Sequence, residues 1–123
     1  MNTVQLRNMS AEVNHNHIIE LEDLTGNRFT VTDAFTLTSY VSLVAVYGYD
    51  ARSEKYRVFL LPRYDYSVTT WKHLHAFIQD YCACGMDVNA NIMRKRASLG
   101  CSYEEYEYEF VNGIVYGGRT YDY

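Results

Sequence analysis

The chain has 123 residues, of which 48% are hydrophobic and 21% charged, and its formal net charge is −4. This length and composition predict one globular domain over residues 1–123 and exclude an intrinsically disordered chain. No run approaches the roughly 20 apolar residues of a membrane helix, and Met1–Ser10 lacks the apolar segment of a secretory signal. We therefore expect a cytoplasmic protein that does not enter a membrane.

The first half of the chain carries the alternation of apolar and polar residues that is typical of β-strands. Residues 17–32 show it on both sides of the turn sequence Leu24–Asn27, which predicts a first hairpin. Residues 40–61 contain two β-forming runs separated by a polar loop, and they predict a second hairpin. Pro62 ends the second run because proline cannot donate to a strand ladder.

The period then changes to that of α-helices. Residues 69–83 place Trp71, Leu74 and Phe77 at helical spacing behind serine and threonine capping residues, which predicts a first helix. A second helix is predicted over 88–99, where the apolar stripe is thinner.

The C-terminal segment carries the strongest local signal of the sequence. Asn112 and Gly113 stand between β-forming residues, and this pair is typical of a type I′ turn, in which both central residues need positive φ. We therefore predict a third hairpin over 103–121. The whole pattern predicts an α+β fold, in which three hairpins form an antiparallel β-sheet and two helices pack on one of its faces.

Glutamate and tyrosine alternate along the first strand of the third hairpin, so the two types fall largely on opposite faces. Carboxylates on one face lie about 7 Å apart. Because this roughly matches the phosphate spacing of a nucleic-acid strand, the row could occupy a basic groove of a partner protein. The simpler interpretation is that the tyrosines face the core and the glutamates protect an edge strand. The predicted partner-binding residues are Glu104, Glu105, Glu107, Glu109, Tyr106 and Tyr108.

Three cysteines offer a second interpretation, a zinc site. Cys82, Cys84 and Cys101 could supply three thiolates, and His73 or His75 could complete the site. However, one residue separates Cys82 from Cys84 where zinc sites more often have two, and seven helical positions separate His75 from Cys82 by about 10 Å. Reduced thiols are the simpler interpretation, so no cofactor is predicted and zinc at Cys82, Cys84, Cys101 and His75 is the alternative.

The remaining charged and histidine motifs favour no single chemistry. Arg94–Arg96 could contact phosphates, but it also lies at the end of the predicted second helix, where cations offset the helix dipole. His15 and His17 could share a strand face and bind a metal, although exposed or packing histidines are the simpler interpretation. The net negative charge disfavours direct nucleic-acid binding. No GxSxG, HExxH, GxxxxGK[ST] or GxGxxG motif occurs, so we expect no enzyme.

The segment SYVSLVAVYGYDARSEKYRVFLLPRYDYSVTTWKHLHAFIQDY, Ser39–Tyr81, resembles small proteins encoded by phages and mobile elements of Gram-positive bacteria. The compact size, the 13 tyrosines and the acidic C-terminal segment are also similar to those of counter-defence proteins, including anti-CRISPR inhibitors. This resemblance implies a non-enzymatic, stoichiometric inhibitor that binds a host protein, such as a nuclease at its nucleic-acid site. The residues themselves leave two alternatives open, a zinc-stabilised binding module and a nucleic-acid-binding regulator.

Overall fold

Strands dominate the computed structural model, which describes residues 3–82 and 108–116. In chain order, the elements are β1 (Thr3–Gln5), β2 (Ala11–Asp23), β3 (Arg28–Ser39), β4 (Ser42–Asp50), β5 (Lys55–Leu60), α1 (Val68–Tyr81) and β6 (Tyr108–Tyr116).

The strands form one sheet in the order β1-β2-β3-β4-β5-β6, and an additional pairing of β6 with β2 closes a ring of five strands. The strands are antiparallel to their neighbours except for β5 and β6, which run parallel. A parallel pair needs a crossover connection rather than a tight turn, and α1 lies in that connection. The fold is therefore a mixed, largely closed sheet with β1 as an added strand on β2.

The prediction of an antiparallel sheet built from three hairpins under two helices is wrong. The first two hairpins do form, as β2–β3 and β4–β5, and α1 corresponds to the first predicted helix. The third does not form, because Asn112 and Gly113 lie inside the continuous strand β6 and neither adopts positive φ. The predicted helix over 88–99 lies outside the described residues.

A bulge explains how β6 accommodates the Asn-Gly pair. Val111 pairs with Asp23 and Gly113 pairs with Glu22, so Asn112 is the extra residue between two successive pairs. The Asn112 side chain donates a hydrogen bond of 3.0 Å to Glu22 Oε2. Pairing with a distant strand thus replaces the local turn that the sequence favours.

Two apolar clusters fill the two sides of the sheet, and β5 contributes to both because successive strand residues face opposite ways. Val58 and Leu60 pack in the helix-side cluster, together with Leu74 and Phe77 of α1. The second cluster lies on the opposite face, and its members are Ile19, Leu21, Phe29, Val31, Ala34, Val46, Phe59, Leu61 and Val111.

The helix is fixed at both ends. Ser67 caps its N-terminus by accepting a hydrogen bond from the Thr70 N–H at 3.1 Å. Near its C-terminus, Asp80 accepts two hydrogen bonds of 2.8 Å from Arg7, which lies in the turn between β1 and β2. Within residues 3–82 and 108–116, no helix is long and apolar enough to cross a membrane.

Candidate functional site

The structure describes two of the six predicted partner-binding residues, and both have internal contacts. Tyr108 is 2% exposed and packs in the helix-side cluster. Glu109 accepts hydrogen bonds from Arg57 at 2.7 Å and from Arg52 at 3.0 Å. Tyr108 is therefore covered by the core, whereas the Glu109 side chain remains 26% exposed beside its two arginines. The other four, Glu104, Glu105, Glu107 and Tyr106, lie outside the described residues, so their role stays a prediction.

Glu109 belongs to an ion-pair network with Asp50, Arg52 and Arg57 that joins β6 to β4 and β5. Asp50 is fully buried and accepts hydrogen bonds from Arg52 at 2.9 Å and from Arg57 at 3.2 Å. Burial raises the pKa of Asp50, but the hydrogen bonds and charge of Arg52, with the Arg57 hydrogen bond, outweigh burial and hold this pKa below its usual value. The Arg52 guanidinium also lies 3.4 Å from the centre of the Phe29 ring. The network therefore balances two cations against two carboxylates and ties β6 to the β4–β5 hairpin.

The structure brings no metal site together in the part of the chain it describes. His75 lies on α1 and Cys82 caps the C-terminus of that helix, so the separation expected along a helix is retained. Cys84 and Cys101 lie outside the described residues. Residues 3–82 and 108–116 contain no group of three potential metal ligands, and this includes His15 and His17.

Aromatic rings line the sheet face that carries α1, at and beyond the C-terminal end of the helix. Strand pairing places His15 beside Phe35, Phe35 beside Tyr47, and Tyr49 beside Tyr56. The His15 and Phe35 rings stack with their centres 4.4 Å apart, and Tyr56 lies 5.5 Å from Tyr47 and 5.6 Å from Tyr49. Tyr56 is 38% exposed. We call His15, Phe35, Tyr47, Tyr49 and Tyr56 the aromatic face.

An irregularity in two strands carries Asp33 to this face. The pairing of β2 with β3 is interrupted at His17 and Asp33, and the register of β3 against β4 shifts between Thr32 and Phe35. Asp33 adopts a φ of 48°, a left-handed conformation that aspartate tolerates better than most residues. An aspartate inside a β-forming run is unfavourable for a regular strand. That is the one sequence signal that could have located this position.

Asp33 links two members of the aromatic face through hydrogen bonds. The Tyr56 hydroxyl donates to Asp33 Oδ2 at 2.6 Å, and His15 Nε2 lies 2.6 Å from Asp33 Oδ1. The hydrogen bond from Tyr56, followed by that from His15, lowers the pKa of Asp33, and the same bond to Asp33 raises the pKa of Tyr56. The side chain of Asp33 is 51% exposed. The face therefore combines flat aromatic surfaces with one ionised, accessible carboxylate.

A serine and a histidine meet where α1 packs on β3. Ser39 Oγ lies 2.7 Å from His73 Nδ1 and 3.3 Å from the Thr70 hydroxyl, and the Tyr40 ring lies 5.5 Å from that of His73. Such a pair occurs in nucleophilic catalysis, where a third group orients the base. Here both side chains are buried. The contact joins the helix to the sheet.

This buried histidine predicts a specific pH dependence of stability. Burial lowers the pKa of His73 below its usual value of 6.5. Below that pH the unfolded chain therefore binds a proton that the folded chain binds less readily, and the free energy of unfolding falls as the pH is lowered further. We expect His73→Gln to lack this component, so that the stability difference between wild type and variant shrinks from about pH 7.5 to about pH 5.5. Urea unfolding at both pH values measures it, and parallel pH profiles would contradict the prediction.

An open groove of about 380 Å³ lies beside β1, and its lining includes Thr3, Glu12 and Tyr40. Ligand sites are usually enclosed and apolar, with a few convergent polar groups. This groove is open, so the aromatic face is the stronger candidate site.

The family comparison covers most of the chain. Residues 4–95 match the model of a family of unknown function, DUF8033. The chain belongs to this family. The segment that matches DUF8033 includes the whole aromatic face, Asp33 and the Ser39–His73 pair, whereas Glu104–Glu109 lies beyond it. No curated protein and no solved structure matches the chain.

Proposed function

We propose that this chain is a non-enzymatic protein-binding domain and that the aromatic face is its contact surface. The observation that carries the proposal is the grouping of rings around Tyr56 on a sheet face, where Tyr56 remains 38% exposed. Tyrosine side chains are enriched at protein interfaces because they supply a large, rigid contact area with a polar tip. Tyr56 lies among other rings, so its loss of freedom on binding is small.

The resemblance of Ser39–Tyr81 to small phage and mobile-element proteins, and of the size, tyrosine content and acidic C-terminal segment to counter-defence proteins, supports a more specific role. That role is the inhibition of a host protein in the cytoplasm. The net charge of −4 and the ionised Asp33 favour a partner with a basic surface. A nuclease presents such a surface where it binds nucleic acid. Occupation of that site would inhibit the nuclease without any chemical step.

A photo-crosslinking experiment tests whether the aromatic face contacts a partner. A tagged chain with benzoylphenylalanine in place of Tyr49 is irradiated in a lysate of a Gram-positive bacterium, and the crosslinked protein is identified and purified. We then expect Tyr56→Thr to weaken binding of that purified protein at least about tenfold, since interface tyrosines are often binding hot spots. Titration calorimetry measures the affinity.

Tyr66→Thr is the matched control, because Tyr66 is 72% exposed but lies in the loop before α1, outside the aromatic face. We expect it to retain wild-type affinity. Equal losses in the two variants, or crosslinking from position 66 and not from position 49, would refute the proposal.

A further inference from the structure

We propose that Asp33, Tyr49 and Tyr56 form a binding site for an arginine side chain of the partner protein. This inference rests on the proposed function of the aromatic face and specifies the chemistry that the face recognises. The three residues come from β3, β4 and β5, and the contacts of Tyr56 with Asp33 and with Tyr49 connect them.

The carboxylate of Asp33 is available for a further donor. Each of its two oxygens has one partner among the described residues, Tyr56 for Oδ2 and His15 for Oδ1. An ionised carboxylate has about four acceptor positions, and half of this side chain is exposed. A guanidinium presents two parallel N–H groups in a fork that matches the two carboxylate oxygens.

The rings beside Asp33 favour a cation that is flat and weakly hydrated. Tyr49 and Tyr56 meet edge to face, with their ring planes 68° apart, so the pair presents both a ring face and a ring edge. A guanidinium stacks on such faces and sheds its water more easily than an ammonium does. Arginine is thus favoured over lysine, and an anionic ligand such as a phosphate is disfavoured by Asp33.

The chain itself contains an internal precedent for this combination of groups. Arg52 binds the carboxylate of Asp50 at 2.9 Å while its guanidinium lies 3.4 Å from the centre of the Phe29 ring. Carboxylate and aromatic ring together hold an arginine there. Asp33 and its neighbouring tyrosines offer the same two groups at an accessible position.

Titration of the full chain with short peptides tests the inference. An acetylated and amidated tri-arginine peptide is added to ¹⁵N-labelled protein at constant pH, alongside matched tri-lysine and tri-citrulline peptides. Citrulline keeps the shape of arginine without its charge. We expect the arginine peptide to shift the amide signals of Asp33, Tyr49 and Tyr56 with a Kd on the order of millimolar. The lysine peptide should bind more weakly, and the citrulline peptide should leave these signals unchanged.

Asp33→Asn removes the charge while keeping the shape, and asparagine also tolerates positive φ. We expect it to weaken binding of the arginine peptide about fivefold, with an otherwise retained spectrum that reports correct folding. Asp65→Asn is the matched control, since Asp65 is exposed and lies before α1, outside the site. It removes the same charge and should leave the affinity unchanged.

Three results would overturn the inference. They are equal effects of Asp33→Asn and Asp65→Asn, equal binding of the citrulline peptide, and shifts at the site with a neutral oligosaccharide such as chitotriose but not with the arginine peptide. The last would identify a carbohydrate site. If the arginine peptide does not bind while the affinity of the crosslinked partner still depends on Tyr56, the inference of an arginine site is wrong but the proposed function stands. If the affinity of the partner does not depend on Tyr56, the proposed function itself is wrong.

Discussion

Asp50→Ala is expected to lower the free energy of unfolding by about 3–5 kcal/mol, as is typical when one partner of a buried ion pair is removed. Asp50 is fully buried, and the side chain of Arg57 is 10% exposed. Without Asp50, Arg57 retains Glu109 as an acceptor, while its buried Nε already has no partner among residues 3–82 and 108–116. The backbone N–H of Arg52 also loses the hydrogen bond of 2.9 Å that it donates to Asp50. Urea unfolding, followed by the fluorescence of Trp71, measures the loss.

Glu54→Ala provides the matched control, because Glu54 is an exposed carboxylate in the same β4–β5 connection. It should change stability by no more than about 0.5 kcal/mol. The double variant Asp50→Ala/Arg57→Leu should be more stable than the sum of the single changes predicts, since it removes the cation left without its buried partner. A loss in Asp50→Ala no greater than in Glu54→Ala would show that the network does not stabilise the fold.

Short-range patterns in the sequence predicted the elements whose contacts are local. The β2–β3 hairpin has its turn signal and its strand alternation within one segment, and α1 has its cap at Ser67 and its apolar stripe within four turns. The Asn112–Gly113 signal is equally local, yet the pairing with Glu22, 90 positions earlier, overrides it. Strand preferences depend strongly on such neighbours. The pairing of β2 with β6, which closes the sheet, has no signal in the local sequence.

The candidate site was less predictable, because its residues are defined by strand register. Tyr56 and Tyr108 both stand in alternating β segments and lie on the sheet face that carries α1, but Tyr56 is 38% exposed whereas Tyr108 is 2% exposed in the helix-side cluster. Alternation in the sequence assigns a residue to a face, but the pairing of the strands and the position of α1 decide which residues of that face are covered. Asp50 and Arg57 look in the sequence like ordinary charged residues of a loop and a strand. Their contact is visible only in the folded β4–β5 hairpin, and the link to Glu109 only when β6 pairs with β5.

Gly48→Ala is expected to cost about 3 kcal/mol, at the upper end of the usual range for overpacking. A Cβ at Gly48 would lie 2.5 Å from Val31 Cγ1 and 2.9 Å from the Thr32 carbonyl oxygen. The valine methyl group can move, but the carbonyl belongs to the β3 backbone just before Asp33. The strand must therefore shift at its irregular point. For a domain of this size, such a loss lowers Tm by roughly 10–20 °C in a thermal unfolding experiment.

Gly113→Ala is the matched control, since no atom of the described residues beyond its chain neighbours lies within 4 Å of the added Cβ and the residue lacks positive φ. We expect it to leave Tm unchanged or slightly raised, because alanine reduces the freedom of the unfolded chain. Adding Val31→Ala to Gly48→Ala should not restore the wild-type Tm, because the contact with the backbone remains. The same segment of β3 positions Asp33. Gly48→Ala should therefore also weaken binding of the arginine peptide, even at temperatures at which the variant is fully folded. Equal Tm values for the two glycine variants would mean that β3 adapts freely, and the position of Asp33 would then not be fixed by the sheet.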